Sequence, residues 1–336
     1  MPTNPFETTP NLATSHIRRQ DLPTSVRRYA DKLVAQIRQI YAKYGAKDFE
    51  ELKENKKLSA QDARKVADLL KAFQKAVETK DVELDFEDAI EVLGRDNVHG
   101  IEDVEAMLGD GFVDESKIPP IPYTLEDLEK SKEIKDKTGV EEMLILFVAD
   151  KDGTPLTGER MNELIQAEYT KLGLGKFQVN TDWYKNEDFF KKLGLSYEWK
   201  LISKQTIPGS KNKRHHHEPD DSFTHQDTQE FAIEEYAKQL DIPRDSLHRP
   251  EPFQMLYATA LHLIATERLN GKGKGERILK DEYHWSDVVS SGGDSVIVGS
   301  AVSVGAFVGG NTRDCWDGRL GVCFSREPFS SKSLDT

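Results

Sequence analysis

Apolar residues in the first 80 positions recur at steps of three and four. Val26, Tyr29, Leu33, Ile37, Ile40 and Tyr44 fall on one stripe. That stripe predicts a helix that starts after Pro23, with Thr24 or Ser25 as its cap, and stops at Gly45. Ser59 and Asp62 have the spacing of a capping arrangement, and Ala63, Val66, Leu69, Leu70, Phe73 and Val77 form a second stripe. Two such helices joined by a short polar link should pack as an antiparallel pair. DFEDAIEVLG (85–94) and GIEDVEAMLG (100–109) each open with acids and close on glycine, which predicts two further short helices.

The pattern changes at IPPIPY (118–123). Its prolines enforce an extended linker, and the first domain boundary is placed there. A helix from Thr124 to Gly139 follows. MLILFVA (143–149) is an unbroken apolar run of the length of a buried strand. Next come a helix over TGERMNELIQAEYTKLG, strands at 177–180 and 197–202, and helices at 227–240 and 251–270. Trp183, Tyr184, Phe189 and Phe190 form an aromatic cluster between the strands. The end of the chain is different again: valine-rich strands with glycines at 292, 293, 299, 305, 309 and 310. The fold class is therefore α+β. A helical N-terminal module (21–117) follows a flexible start (1–20). A linker and helix (118–142) lead to an α/β to β-rich domain (143–327) and a short tail (328–336).

Composition narrows the function classes. The 336 residues carry a net charge of −13, which argues against whole-chain binding of nucleic acid or an anionic membrane. A local exception is the start of the chain, where Arg18, Arg19, Arg27, Arg28, Lys32, Arg38 and Lys43 outnumber the acids of the first 45 residues, so a nucleic-acid adaptor acting through the basic first helix is an alternative. No apolar run has the length of a membrane span, and no leader is legible in MPTNPFETTPNLATSHIRR. A cytoplasmic location is the default expectation.

Candidate chemistry is sparse. His215, His216 and His217 sit beside Glu218, Asp220, Asp221 and His225, and imidazoles with carboxylates can hold zinc or nickel. Three adjacent histidines point apart on an ordered backbone, and Lys211, Lys213 and Arg214 oppose a cation. His215, His217, His225 and Asp220 thus carry the alternative of a metal-dependent enzyme, against a solvated polar loop. GKGKG (271–275) lacks the strand before it and the Gly-Lys-Ser/Thr after it that a phosphate loop needs. Cys315 and Cys323, beside Asp314 and Asp317, read as structural thiols. No G-x-S-x-G occurs, and no cofactor is implied.

Asn311, Thr312, Arg313, Asp314, Trp316, Asp317 and Arg319 form a polar segment with one large aromatic, the composition of a recognition loop. His284-Trp285-Ser286, then Ser295–Phe307, then Leu320–Arg326 (LGVCFSR) occur in the order of motifs in the C-type-lectin-like fold. The branch this resembles is that of formylglycine-generating-enzyme domains and diversity-generating-retroelement variable proteins. Trp199–Ser203 (WKLIS) is similar to a further motif of that branch. Cys315 and Cys323 straddle the entrance of the closing strand instead of forming a closely spaced pair well upstream of it, so oxidase activity is not carried over. Glu218-Pro219-Asp220 and Trp316-Asp317 lie too far apart for a calcium-dependent sugar site. The resemblance implies a non-enzymatic scaffold that displays a surface for a protein or other macromolecular ligand.

Overall fold

The computed structural model describes residues 24–47, 49–55, 57–79, 84–179, 181–208, 210, 225–302, 305–312 and 319–329. They divide into two compact units near Leu84. The first contains α1 (Thr24–Tyr44), α2 (Phe49–Glu54) and α3 (Ala60–Thr79). α1 and α3 pack together, as their stripes predict, and Ile37, Ile40, Leu52, Ala63, Val66 and Leu70 form their buried core. Asp62 N–H donates to Ser59 Oγ at 3.1 Å, which is the expected cap. The short link contributes the unforeseen helix α2, whose Leu52 plugs the core.

The second unit opens with α4 (Phe86–Leu93), β1 (Val98–His99), α5 (Ile101–Leu108) and α6 (Leu125–Thr138). Then come β2 (Glu142–Phe147), β3 (Leu156–Thr157), α7 (Gly158–Leu172), β4 (Gln178–Val179), α8 (Thr181–Tyr184) and α9 (Asp188–Lys192). β5 (Gly194–Leu195), β6 (Glu198–Ser203), α10 (His225–Leu240), β7 (Leu247–His248) and α11 (Pro252–Asn270) lead to the β-rich end. That end contains β8 (Tyr283–Val289), β9 (Ser295–Val302), β10 (Gly305–Asn311), β11 (Leu320–Gly321) and β12 (Ser325–Arg326). The chain is α+β, as expected. The sequence groups 85–109 with the helical module, but α4 and α5 belong to the sheet-bearing unit. The reason is that β1, between them, pairs with β2, and α5 packs on α11.

Among the described residues one sheet has the order β1-β2-β6-β12-β7 and another the order β11-β8-β9-β10-β4. β3 and β5 make a small third pair. α11 touches strands of both larger sheets. The sequence gives it one apolar face, but residues 252–267 are buried all round, because α5 and α7 cover what the strands do not.

The edge strands of the first sheet reveal a repeat that the periodicity hides. Arg95-Asp96-Asn97-Val98-His99 and Arg244-Asp245-Ser246-Leu247-His248 each form a 3₁₀ turn, then a two-residue strand, between two helices. Arg95 Nη1 donates to Val98 O at 2.7 Å, and Arg244 Nη1 donates to Leu247 O at 2.7 Å. The two copies occupy opposite edges of one sheet.

The last strand lies inside this sheet, antiparallel to both β6 and β7. Two residues make few ladder bonds, so side chains supply the rest. Arg326 is fully buried. Its Nε and Nη2 donate to Glu142 at 2.9 and 2.8 Å, and Nη2 also reaches Asp127 O and Ser131 Oγ at 2.8 Å. Tyr123 Oη donates to Arg326 O at 2.7 Å and accepts from Leu201 N–H at 2.9 Å. Removing one partner of a buried pair strands the other. Arg326→Met is therefore expected to lower the unfolding free energy by about 3–5 kcal/mol in urea denaturation. An unchanged midpoint would show that the pair does not anchor β12.

Candidate functional site

β8, β9 and β10 position the residues expected to bind. Tyr283 and Phe307 both stand opposite Gly299, so all three share one row of the sheet. The two rings meet edge to face, with centroids 5.7 Å apart. A Cβ on Gly299 would lie 2.1 Å from Glu282 O and 2.7 Å from Tyr283 Cα, so the backbone of the neighbouring strand leaves no room for a side chain here. Trp285 and Ile297, two residues along on the same face, are buried with Leu320, and Tyr283 and Phe307 pack against this cluster as a half-buried shelf. Arg319 is exposed and lies over the Tyr283 ring at 5.2 Å. Tyr283 N–H donates to Arg319 O at 2.9 Å, which fixes this end of the segment.

Asn311, half-buried, closes β10 opposite Ser295, and Thr312 beyond it is exposed. The structure thus brings both ends of the 311–319 segment onto one sheet. Arg313, Asp314, Trp316 and Asp317 lie outside the described residues, as do His215, His217 and Asp220 of the histidine loop. His225 is the first residue of α10. Among the described residues no group of His, Cys, Asp and Glu could hold a metal ion, and no helix is long and apolar enough to cross a membrane.

Trp183 was missed by sequence reasoning as a surface group. Tyr184, Phe189 and Phe190 do cluster, and they are buried with Phe253. Trp183 instead is 41% exposed and its ring covers Gly310, next to Asn311. The missed signal is a glycine pair in β10: bare backbone is where an aromatic ring from another segment can lie. Glu187 accepts from Ser291 N–H and Oγ at 2.8 and 2.7 Å, which ties the β8–β9 turn to this region.

Two other sequence features resolve into structural roles. In GKGKG, the Gly275 amide donates to Glu267 at 2.6 Å and the Gly273 amide donates to the same carboxylate. The glycine amides hold an anion, but it is the chain's own. Cys323 is buried, and burial pushes its thiol well up, so it stays protonated.

A second cluster is buried in the same unit. His99, at the end of β1, and His262, in the middle of α11, meet at 2.9 Å through Nε2 and Nδ1. His262 Nε2 lies 3.0 Å from Glu276, whose side chain is 49% exposed. On the other side, His99 Nδ1 is 3.7 Å from Asp103, and Arg95 grips Asp103 with two bonds of 2.9 and 3.0 Å. Lys204, nearly fully buried, bridges Glu276 at 3.2 Å and Glu141 at 3.3 Å. Burial pushes His262 down to about 4 against the pull of Glu276, and pushes His99 down against that of Asp103. The His262 hydrogen bond holds Glu276 at about 2. Sequence spacing gave no signal for this cluster, because 163 residues separate its two imidazoles. The repeat gives a partial one: His248 occupies the place of His99 in the second copy and is exposed.

His284 is a third buried imidazole. Its Nε2 lies 2.9 Å from Pro250 O and its Nδ1 accepts Cys323 N–H at 3.1 Å, so the ring is neutral with its proton on Nε2. No family model, curated protein or solved structure matches the chain.

Two outcomes are expected. Gly299→Val is expected to cost more than about 2 kcal/mol, because Glu282 O and the strand must move. Thermal melting of Gly299→Val unchanged from the wild type would contradict this close approach of the two strands. Burial holds His284 at about 4, below its ordinary 6.5. Between those values the unfolded chain binds a proton that the folded chain does not, so stability falls as pH falls through that window. His284→Asn, which keeps an acceptor for Cys323 N–H, is expected to remove about 1.4 kcal/mol per pH unit from that slope. Denaturation at a series of pH values measures it.

Proposed function

We propose that this protein is a recognition protein whose C-terminal part is C-type-lectin-like, and that it takes a protein or other macromolecular ligand at the surface around Asn311, Thr312 and Arg319. The observation that carries the reading is the meeting of three separated motif segments. WKLIS (199–203), His284-Trp285-Ser286 and LGVCFSR (320–326) are stitched to one another. Arg326 pairs with Leu201, and Ser325 with Ile202. Phe324 N–H donates to Ser203 Oγ at 3.0 Å, Ser203 N–H donates back to Phe324 O at 2.9 Å, and Cys323 N–H reaches His284. Motif segments far apart in the chain therefore lie together in one unit, which supports reading them as parts of one domain.

The chemistry of the surface supports recognition. The Tyr283–Phe307 shelf offers half-buried aromatic area on a rigid sheet, and Arg319 adds an oriented guanidinium. Aromatic and arginine side chains on rigid supports dominate binding energies, because little side-chain freedom is lost on contact. Exposed Trp183 extends the apolar area past Asn311.

Affinity capture with the full chain tests the reading, comparing wild type with an Asn311→Ala, Arg319→Ala double variant of equal thermal stability. Macromolecules captured by the wild type are expected to fall at least about 10-fold in the variant, the effect of about 1.4 kcal/mol lost at hot-spot positions. Equal capture by both would remove this surface as the site.

A further inference from the structure

The string Asp103···His99···His262···Glu276 has room for one more proton than a neutral imidazole pair carries. Only one proton fits between His99 Nε2 and His262 Nδ1, because two N–H groups 2.9 Å apart would face each other without an acceptor. A neutral pair has two ring protons. With one between the rings, a single proton is left for two outer nitrogens, and both of those face carboxylates. The 3.0 Å contact between His262 Nε2 and Glu276 places it there. His99 Nδ1 is then a bare, fully buried lone pair without a hydrogen-bond partner, directed at an Asp103 oxygen 3.7 Å away. Two acceptors in that position repel, and an unsatisfied buried polar atom is costly.

We propose that His99 Nδ1 is a single-proton binding site, and that the His99–His262 pair takes up one proton, and no second, while the protein remains folded. The proton turns the repulsive end of the string into an N–H donor toward Asp103, so every junction then has one donor and one acceptor. Passing the shared proton from His99 Nε2 to His262 Nδ1 moves the positive charge from the ring beside Asp103 to the ring beside Glu276. A second proton would put two cations in contact and leave Nε2 and Nδ1 facing as donors.

The charged groups around the pair set the range. Asp103 from α5 and Glu276 from the segment after α11 favour the charged ring. Burial, Arg95 from the 3₁₀ turn and Lys204 from the end of β6 oppose it, and Glu141 offsets part of the Lys204 charge. Both rings lie below the ordinary histidine value, so the site fills on the acid side of about 6.5.

Imidazole ¹⁵N spectra of the full chain, followed from about pH 7.5 to about 4, test the proposal. The His99 and His262 signals are expected to move with one common midpoint and a combined gain of one proton, with the amide dispersion of the folded state intact. Asp103→Asn is expected to lower proton affinity at least about 10-fold, and Glu276→Gln, at the half-exposed end, to lower it as well without disturbing Arg95. Rings that stay neutral until the fold is lost would overturn the proposal. So would a full proton gained by each ring in two steps. The wild-type titration decides the matter even if Asp103→Asn does not fold.

Discussion

A two-residue strand in the middle of a sheet is a demanding arrangement, and the fold of the larger unit depends on it. β12 separates β6 from β7, so the first sheet is complete only when Ser325 and Arg326 are in place. Backbone bonds from two residues cannot hold so central a position alone. The buried Arg326–Glu142 pair, with Asp127, Ser131 and Tyr123 around it, supplies the missing hold and gives β12 its register. The hydrogen-bond partners of the Arg326 side chain come from 127–142, and Tyr123 holds its carbonyl, so this strand is locked to the segment that precedes and opens β2. Residues 319–324, which lead into β12, inherit that fixed point and carry it to the β8–β10 sheet.

Much of this was legible where contacts are local. The stripes of α1 and α3, the Ser59 cap, the apolar run of β2 and the 251–270 range that contains α11 all follow from local spacing and, for α3, from a capping residue. The glycine and valine pattern of the end announced β9 and β10. What stayed hidden has partners far apart in the chain. Nothing in Ser325-Arg326 marks it as a strand between Leu201 and Leu247. His99 and His262 carry no motif spacing. The full burial of α11 was unreadable because its polar residues, Thr259, His262 and Thr266, find partners inside the protein. The Arg-Asp-x-x-His repeat was readable in principle, but 149 positions separate its copies, and helical periodicity draws the eye to 85–94 and 100–109 instead.

The two copies of that repeat differ in a way that bears on function. Each keeps the arginine that ties the turn to its own strand. In the first copy the histidine is drawn inward between α5 and α11 and becomes part of a charged string. In the second the histidine faces outward, and the next residue, Arg249, pairs with Glu230 and Asp287. One copy therefore supplies a buried titrating site, and the other braces β8, on which the aromatic shelf is built.

The closing strand thus holds both sheets, and with them the shelf of Tyr283, Phe307 and Arg319. Native-state hydrogen exchange compares the full chain with a chain ending at Phe324. Amides of β2 and β6 are expected to lose protection together with those of β8 and β9. Protection retained in β8 and β9 after loss of Ser325 and Arg326 would show that the second sheet does not depend on β12.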